Sequence, residues 1–102
     1  MIRGEVWWAE TPSETRRPAL VLTRDSVLPF LDAAVVAPIT STIRGIPTEV
    51  ALDREDGMPK PCVIALDQIR TLPKAHLVRR ITSLSVIRME QVCEALRIAV
   101  AC

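Results

Sequence analysis

The chain has 102 residues, of which 49% are hydrophobic and 25% are charged, and its formal net charge is +1. This length and apolar content suffice for one buried core, so we expect a single domain over residues 1–102 and no extensive disorder. The near-neutral charge excludes a uniformly basic nucleic-acid binder. Because no apolar run approaches the roughly 20 residues that cross a bilayer, we expect no membrane span.

The cysteines and the N-terminal residues predict the cellular compartment. Cys62, Cys93 and Cys102 cannot all pair within the chain, and no C-x-x-C motif occurs. The first residues contain no long apolar segment of the kind found in a signal peptide. We therefore expect reduced cysteines and a cytoplasmic protein.

Charge is unevenly distributed along the chain. Residues 68–89 contain no acidic residue but five basic ones, namely Arg70, Lys74, Arg79, Arg80 and Arg88. A small acidic cluster lies just upstream, in residues 53–56. A local basic face on a neutral protein suits a polyanionic or acidic partner, although an ordinary solvated surface has the same pattern.

Most of the chain has the pattern of short strands. Apolar and β-branched runs predict strands at residues 5–9, 18–23, 33–39, 48–52, 62–66 and 77–81. Polar or proline-rich segments at residues 10–17 and 53–61 are typical of loops. The run at 62–66 has no polar alternation, which indicates a strand buried on both faces.

The C-terminal segment has a helical pattern. Ser85 is a favourable N-cap, and apolar residues follow it at the spacing of one helix face, namely Met89, Val92, Cys93, Leu96 and Val100. This pattern predicts an amphipathic helix of about four turns with Cys93 buried on its apolar face. Sequential strands followed by one helix favour a mainly β fold, a small and strongly twisted antiparallel barrel.

The usual catalytic constellations are missing from the sequence. No metal-ligand spacing and no glycine-rich phosphate loop occur, so we expect no metal and no cofactor. The single histidine, His76, falls in a polar turn, which disfavours a histidine-based mechanism.

Polar groups at the ends of two predicted strands are the best candidates for chemistry. Arg17 precedes one strand, and an arginine fork binds phosphate through two hydrogen bonds. Thr40 and Ser41 end the next strand and offer hydroxyl donors. The alternatives remain open at this point: Arg17 as a surface residue paired with Glu10 or Glu14, and the hydroxyls as ordinary turn formers.

Adjacent tryptophans stand on the first predicted strand. Trp7 and Trp8 must point to opposite faces of the sheet. We expect one of them to join the core. The other has the chemistry either to stack on a nucleobase or to fill a subunit interface.

Five short motifs, in order, resemble the MazF family of toxin endoribonucleases over essentially the full chain. They are residues 3–7 (RGEVW), 17–22 (RPALVL), 38–41 (PITS), 67–71 (DQIRT), and finally 84–85 (LS) with 94–96 (EAL). Each motif alone is weak, but five in the right order make a strong match.

This resemblance implies a fold, an activity and partners. The expected fold is an SH3-like antiparallel β-barrel with a C-terminal helix, of the CcdB/MazF-like type, assembled as a homodimer. The expected activity is sequence-specific, metal-independent cleavage of single-stranded RNA, which arrests translation and growth. The expected protein partner is a MazE-like antitoxin that covers the RNA groove.

The resemblance also implies roles for individual residues. The family's catalytic arginine and threonine fall on Arg17 and Thr40. The expected RNA-binding residues are Glu14, Ser41, Gln68, Arg70, Arg79 and Arg80, and the last three suit an acidic antitoxin tail equally well. RNA supplies its own nucleophile, the 2′-hydroxyl, so attack on phosphorus would leave a 2′,3′-cyclic phosphate and a 5′-hydroxyl end.

Two alternatives belong to other functional classes. A CcdB-like gyrase poison has the same barrel but cleaves nothing and acts through residues after its helix, where this chain ends. A proline-binding SH3-like module needs a groove of several aromatic residues. This chain has only Trp7, Trp8 and Phe30, which disfavours that reading.

Overall fold

The computed structural model describes residues 1–101, with the side chain of Glu14 left out. The described chain forms seven strands and one α-helix. The strands are β1 (Glu5–Thr11), β2 (Glu14–Val21), β3 (Ala33–Thr40), β4 (Glu49–Leu52), β5 (Cys62–Ala65), β6 (Arg70–Pro73) and β7 (Leu77–Ser83), and the helix is α1 (Val86–Val100). Single 3₁₀ turns lie at Leu28–Phe30, Arg54–Asp56, Leu66–Gln68 and Lys74–His76.

All strand pairs are antiparallel, in the order β4-β5-β3-β2-β1-β7, and β3 is the branch point. One edge of β3 pairs with β2, while its other edge pairs first with β6 and then with β5. The expected mainly β fold with a C-terminal helix is confirmed. The end strands β4 and β7 do not pair with each other in the described chain, so the expected barrel is not closed by hydrogen bonds.

Apolar side chains fill both faces of the central strands. One cluster is centred on Val6, Leu20 and Ile64 and is covered by α1 through Val92 and Ala95. The opposite cluster contains Ala19, Val21, Leu28, Ala34, Val36 and Leu72, with Trp7 packed against it. Trp7 packs against this cluster but stays partly exposed, so the expectation that one tryptophan joins the core is met only in part. In residues 1–101 no helix is long and apolar enough to cross a membrane.

The buried face of α1 differs from the predicted one. The residues of α1 that are buried against the sheet are Val92 and Ala95. Cys93 and Val100 lie outside this buried face and are exposed. The prediction of a buried Cys93 was therefore wrong. Cys62 is buried at the start of β5, and Cys102 lies outside the described residues.

The predicted loop at residues 10–17 is wrong as well. β1 continues to Thr11 and β2 begins at Glu14, so Pro12 and Ser13 alone connect them in a tight hairpin. Arg17 consequently lies inside a strand and not at its start. The short strand β6, which pairs Val36 with Arg70, was not predicted.

The start of α1 is tied to the loop before β5. Ser85 caps the helix by accepting the N–H of Arg88 at 3.1 Å, and Arg88 Nε donates to Asp56 Oδ1 at 2.9 Å. The next residue, Gly57, has φ +92°, and a Cβ there would collide with Thr82. This anchor fixes the path of residues 58–60, which border the candidate site.

Candidate active site and nucleic-acid interface

The β2–β3 ladder stops at Pro18, next to the candidate residues. The strands pair at Val21↔Val36, Leu20↔Ala37 and Ala19↔Pro38, and the pairing stops there. Since Pro18 has no N–H to donate, it cannot extend the ladder. On the other edge of β3 its last residues pair with β5, while the start of β2 pairs only with β1.

Arg17 and Thr40 lie on the two sides of this interruption of the β2–β3 ladder, which we call the strand split. Extending the β2–β3 register by two residues would place them directly opposite each other. Alternation along each strand then puts both on the same sheet face as Ala19 and Val36. The structure thus gives the predicted pair a common location, although the two residues are far apart in sequence.

The split opens into two cavities. The first cavity, of about 530 Å³, is bordered by Thr11, Thr15, Arg17, Gln68 and Arg70. The second cavity, of about 360 Å³, is bordered by Trp8, Arg17, Thr40, Ser41 and Lys60. Arg17 and Pro18 border both cavities, so the two cavities adjoin at these residues.

The Arg17 guanidinium is exposed, and no described side chain forms a hydrogen bond or ion pair with it. Its neighbour Arg16 behaves differently, since it lies 3.6 Å from Glu10 and 5.0 Å from the centre of the Trp8 ring. The ion pair with Glu10 that we considered for Arg17 is therefore made by Arg16. Arg17 keeps its N–H donors for a ligand.

The hydroxyl group of Thr40 is oriented by the backbone. Thr40 Oγ1 accepts the N–H of Thr42 at 3.1 Å. A hydroxyl that accepts one hydrogen bond still has its own proton to donate. Ser41 follows at the rim of the second cavity and is exposed.

An ion cluster fixes the turn that carries Gln68. Arg44 binds Asp67 through both oxygens, at 2.8 and 3.1 Å, and also donates to Glu49 at 2.8 Å. The hydrogen bonds from Arg44 hold the pKa of Asp67 below its usual range. Arg44 follows Thr40 in the chain and Asp67 directly precedes Gln68, so this ion cluster connects the segments that border the two cavities. The sequence motifs did not single out Arg44.

The remaining predicted residues lie in different places. Arg70 borders the first cavity, as Gln68 does. Arg79 and Arg80 lie on β7 and border neither cavity, and Arg80 donates to Ser83 at 3.0 Å. Glu14 lies at the start of β2, and its side chain is outside the described part. Among the described residues, no group of three or more His, Cys, Asp or Glu could hold a metal ion.

Lys60 is a site residue that the sequence analysis did not select. It borders the second cavity from the loop before β5. The only feature of the sequence that could have indicated it is the position of this lysine between Pro59 and Pro61, because the two prolines restrict the backbone around a positively charged side chain.

Comparison with known proteins identifies the family of the chain. The family model for PemK-like, MazF-like toxins of type II toxin-antitoxin systems matches residues 2–100. The chain is 46% identical over 101 residues to "Probable endoribonuclease MazF5" of Mycobacterium tuberculosis, covering 98% of this chain and 93% of the relative. This chain therefore belongs to the family of PemK-like, MazF-like toxins of type II toxin-antitoxin systems.

Solved structures give the same assignment. Mycobacterium tuberculosis toxin MazF-mt6 aligns with a TM-score of 0.88 and 36% identity, covering 95% of this chain and 96% of that one. An endoribonuclease in complex with its cognate antitoxin, from a mycobacterial species, aligns with a TM-score of 0.90 and 25% identity, covering 99% and 95%. These matches give no support to the gyrase-poison alternative.

Proposed function

We propose that this protein is the toxin of a type II toxin–antitoxin pair and a metal-independent endoribonuclease that cleaves single-stranded RNA, arresting translation and growth. The observation that carries the proposal is the Arg17 guanidinium, which has no described partner and lies across the strand split from Thr40. The relatives that are named endoribonucleases support the class of reaction.

In the proposed reaction the nucleophile is the 2′-hydroxyl of the RNA. Its oxygen attacks the adjacent phosphorus and gives up its proton to solvent. The bond from phosphorus to the 5′-oxygen breaks, and the 5′-oxygen takes up a proton from solvent as it leaves. The products are a 2′,3′-cyclic phosphate and a 5′-hydroxyl end. The protein's contribution is to hold the phosphate in line and to stabilise the charge on its oxygens.

Arg17 and Thr40 have distinct parts in this reaction. Arg17 donates two N–H groups to the non-bridging oxygens, a charge-assisted interaction suited to a planar fork. Thr40 donates its hydroxyl proton to the same phosphoryl group while its oxygen accepts the N–H of Thr42. Because arginine stays protonated at neutral pH, its primary role is electrostatic.

The first cavity accommodates RNA beyond the scissile phosphate. In this cavity Gln68 offers an amide to base edges and Arg70 suits the sugar–phosphate backbone, while Ser41 offers a hydroxyl group to the backbone at the second cavity. The remaining predicted contacts are Glu14, Arg79 and Arg80. These residues would contact RNA in an assembly with a second copy of the chain, or when the RNA is longer. A homodimer supplies that second copy.

A MazE-like antitoxin is the proposed protein partner. The related structure of an endoribonuclease bound to its cognate antitoxin supports this assignment. An acidic antitoxin segment laid over the cavities would compete with RNA for Arg17 and Arg70.

The test is cleavage of a long defined RNA by the purified protein in EDTA. Wild type should cut at discrete sites, and Arg17→Ala should lose at least about a hundredfold in rate, as expected for a missing charge-stabilising donor. Arg24→Ala is the matched control, because Arg24 is exposed in the loop after β2 and borders neither cavity.

Three outcomes would contradict the proposal. They are cleavage that requires added metal, cleavage that survives Arg17→Ala, and no cleavage of any of several RNAs. Equal losses in Arg17→Ala and Arg24→Ala would show that general charge, and not this site, is responsible.

A further inference from the structure

The second cavity has a composition that the cleavage step itself does not require. Its floor is apolar and aromatic, formed by Trp8, Ile39 and Met58, while hydroxyl groups and one lysine stand at its rim. An apolar floor with a few convergent polar groups is typical of a small-ligand site, and 360 Å³ lies in the range of such clefts.

Trp8 is held in a fixed position at this floor. It is half-buried, pairs with Pro18 across the β1–β2 ladder, and carries the Arg16 guanidinium 5.0 Å from its ring centre. Arg16 in turn is tied to Glu10. An indole fixed by such contacts loses little conformational freedom when a planar ligand stacks on it.

Lys60 supplies a positive charge at the same cavity. The residue is exposed, and its ammonium group forms no hydrogen bond or ion pair with the described residues. The flanking Pro59 and Pro61 restrict the backbone on both sides. Arg17 borders the cavity at its junction with the first cavity, and Lys60 adds a second cation to the lining.

We propose that the second cavity is a single-nucleotide subsite: Trp8 stacks on the base of the nucleotide adjoining the scissile phosphate, and Lys60 binds the next phosphate along the strand. The proposal rests on the proposed function, since Arg17 must hold the scissile phosphate. Stacking platforms combined with cations are the common means of binding single-stranded nucleic acid. Trp8 and Lys60 would then contribute to affinity and base preference without taking part in bond breaking.

The test couples a protein change to a nucleic-acid change at one position. The probe is a 2′-O-methyl oligonucleotide copied from a mapped cut site, which lacks the nucleophile and cannot be cleaved. Abasic nucleotides are placed singly along it, and affinities are measured for wild type and Trp8→Leu. At one position adjoining the scissile phosphate, base removal should cost wild type about 5- to 150-fold in affinity and cost Trp8→Leu almost nothing.

Control variants separate stacking from general damage. Phe30→Leu removes an aromatic ring that is 86% exposed and borders neither cavity, so it should show no coupling at any position. Trp8→Phe should keep the coupling, because it retains an aromatic face. Lys60→Met should weaken binding of every sequence and lower the salt dependence, and the effect should vanish when the oligonucleotide ends before the outer phosphate.

A second measurement applies even if Trp8→Leu does not fold. In Trp7→Phe the only remaining indole is Trp8, and the intact oligonucleotide should quench its fluorescence more than the abasic one does. Equal quenching by both, or coupling at no position while wild type still cleaves and Arg17→Ala does not, would overturn the subsite and leave the proposed function standing. Failure of wild type to cleave or bind any RNA would overturn both.

Discussion

Replacing Thr40 with valine removes one hydroxyl group from the strand split and little else. Valine keeps the β-branched shape that β3 requires, so the pairing of Thr40 with Val63 on β5 should persist. The hydroxyl group that is lost accepts the N–H of Thr42 at 3.1 Å. In the proposed reaction it also donates a hydrogen bond to the phosphoryl group.

These two hydrogen bonds predict very different magnitudes. The Thr42 N–H lies in an exposed segment and can bind water instead, so the free energy of unfolding should fall by no more than about 1 kcal/mol. The lost donor to a developing phosphoryl charge should slow cleavage by about 100- to 1,000-fold. Thr40→Ser restores the hydroxyl and should recover most of the rate.

The assay is single-turnover cleavage with protein in excess, run beside urea unfolding of the same three proteins. Single-turnover rates isolate the chemical step from product release. Thr40→Val within threefold of wild type would refute the assigned role. So would Thr40→Ser as slow as Thr40→Val, because the hydroxyl would then not be the group that matters.

Two further predictions concern the supports of the site. Because Arg44 lowers the pKa of Asp67 in the folded protein, this carboxylate stabilises the fold above about pH 4 and loses that effect as pH falls through the lowered folded pKa. Asp67→Asn should therefore be less stable than wild type in urea at pH 7, and the difference should shrink as pH falls below about 4. A difference that stays constant with pH would contradict this. Gly57→Ala should lower the free energy of unfolding in urea by about 2–4 kcal/mol, because the backbone there has a positive φ and the added Cβ would collide with Thr82. Gly45→Ala, where φ is +71° and the space is open, should lower it by only about 1 kcal/mol. Equal losses in the two variants would contradict the packing argument.

The sequence predicted those parts of the fold that depend on local patterning. The continuous apolar run at residues 62–66 corresponds to β5, every residue of which is buried, and Ser85 caps α1 as its position suggested. These features follow from propensity and periodicity alone.

The parts that were missed depend on contacts distant in sequence. Polar residues on both sides of Pro12 looked like a loop, yet β1 and β2 pair through them because their neighbours supply the ladder. Arg70 and the rest of β6 form a strand only because β3 presents a free edge to them. Cys93 matched the apolar spacing of a helix, but the direction in which α1 meets the sheet selected Val92 and Ala95 instead.

For the candidate site as well, the sequence indicated some residues and missed others. Motif order selected Arg17, Thr40 and Gln68 as candidates, and these residues border two cavities beside the point where the β2–β3 ladder is interrupted at Pro18. Nothing local marked Arg44 as the residue that fixes the Gln68 turn. Nor did anything local mark Lys60 as part of a cavity that also contains Trp8.

The most direct test of the central claim examines the ends of the cleaved RNA. A mapped site is synthesised twice, once as RNA and once with a single 2′-deoxy nucleotide on the 5′ side of the cut, and both are incubated with wild type in EDTA. The account predicts that the RNA is cut, that its downstream fragment accepts phosphate from a kinase without prior dephosphorylation, and that the 2′-deoxy substrate is not cut. Cleavage of the 2′-deoxy substrate, or a downstream fragment that already carries a 5′-phosphate, would contradict attack by the RNA's own hydroxyl group at the Arg17–Thr40 site.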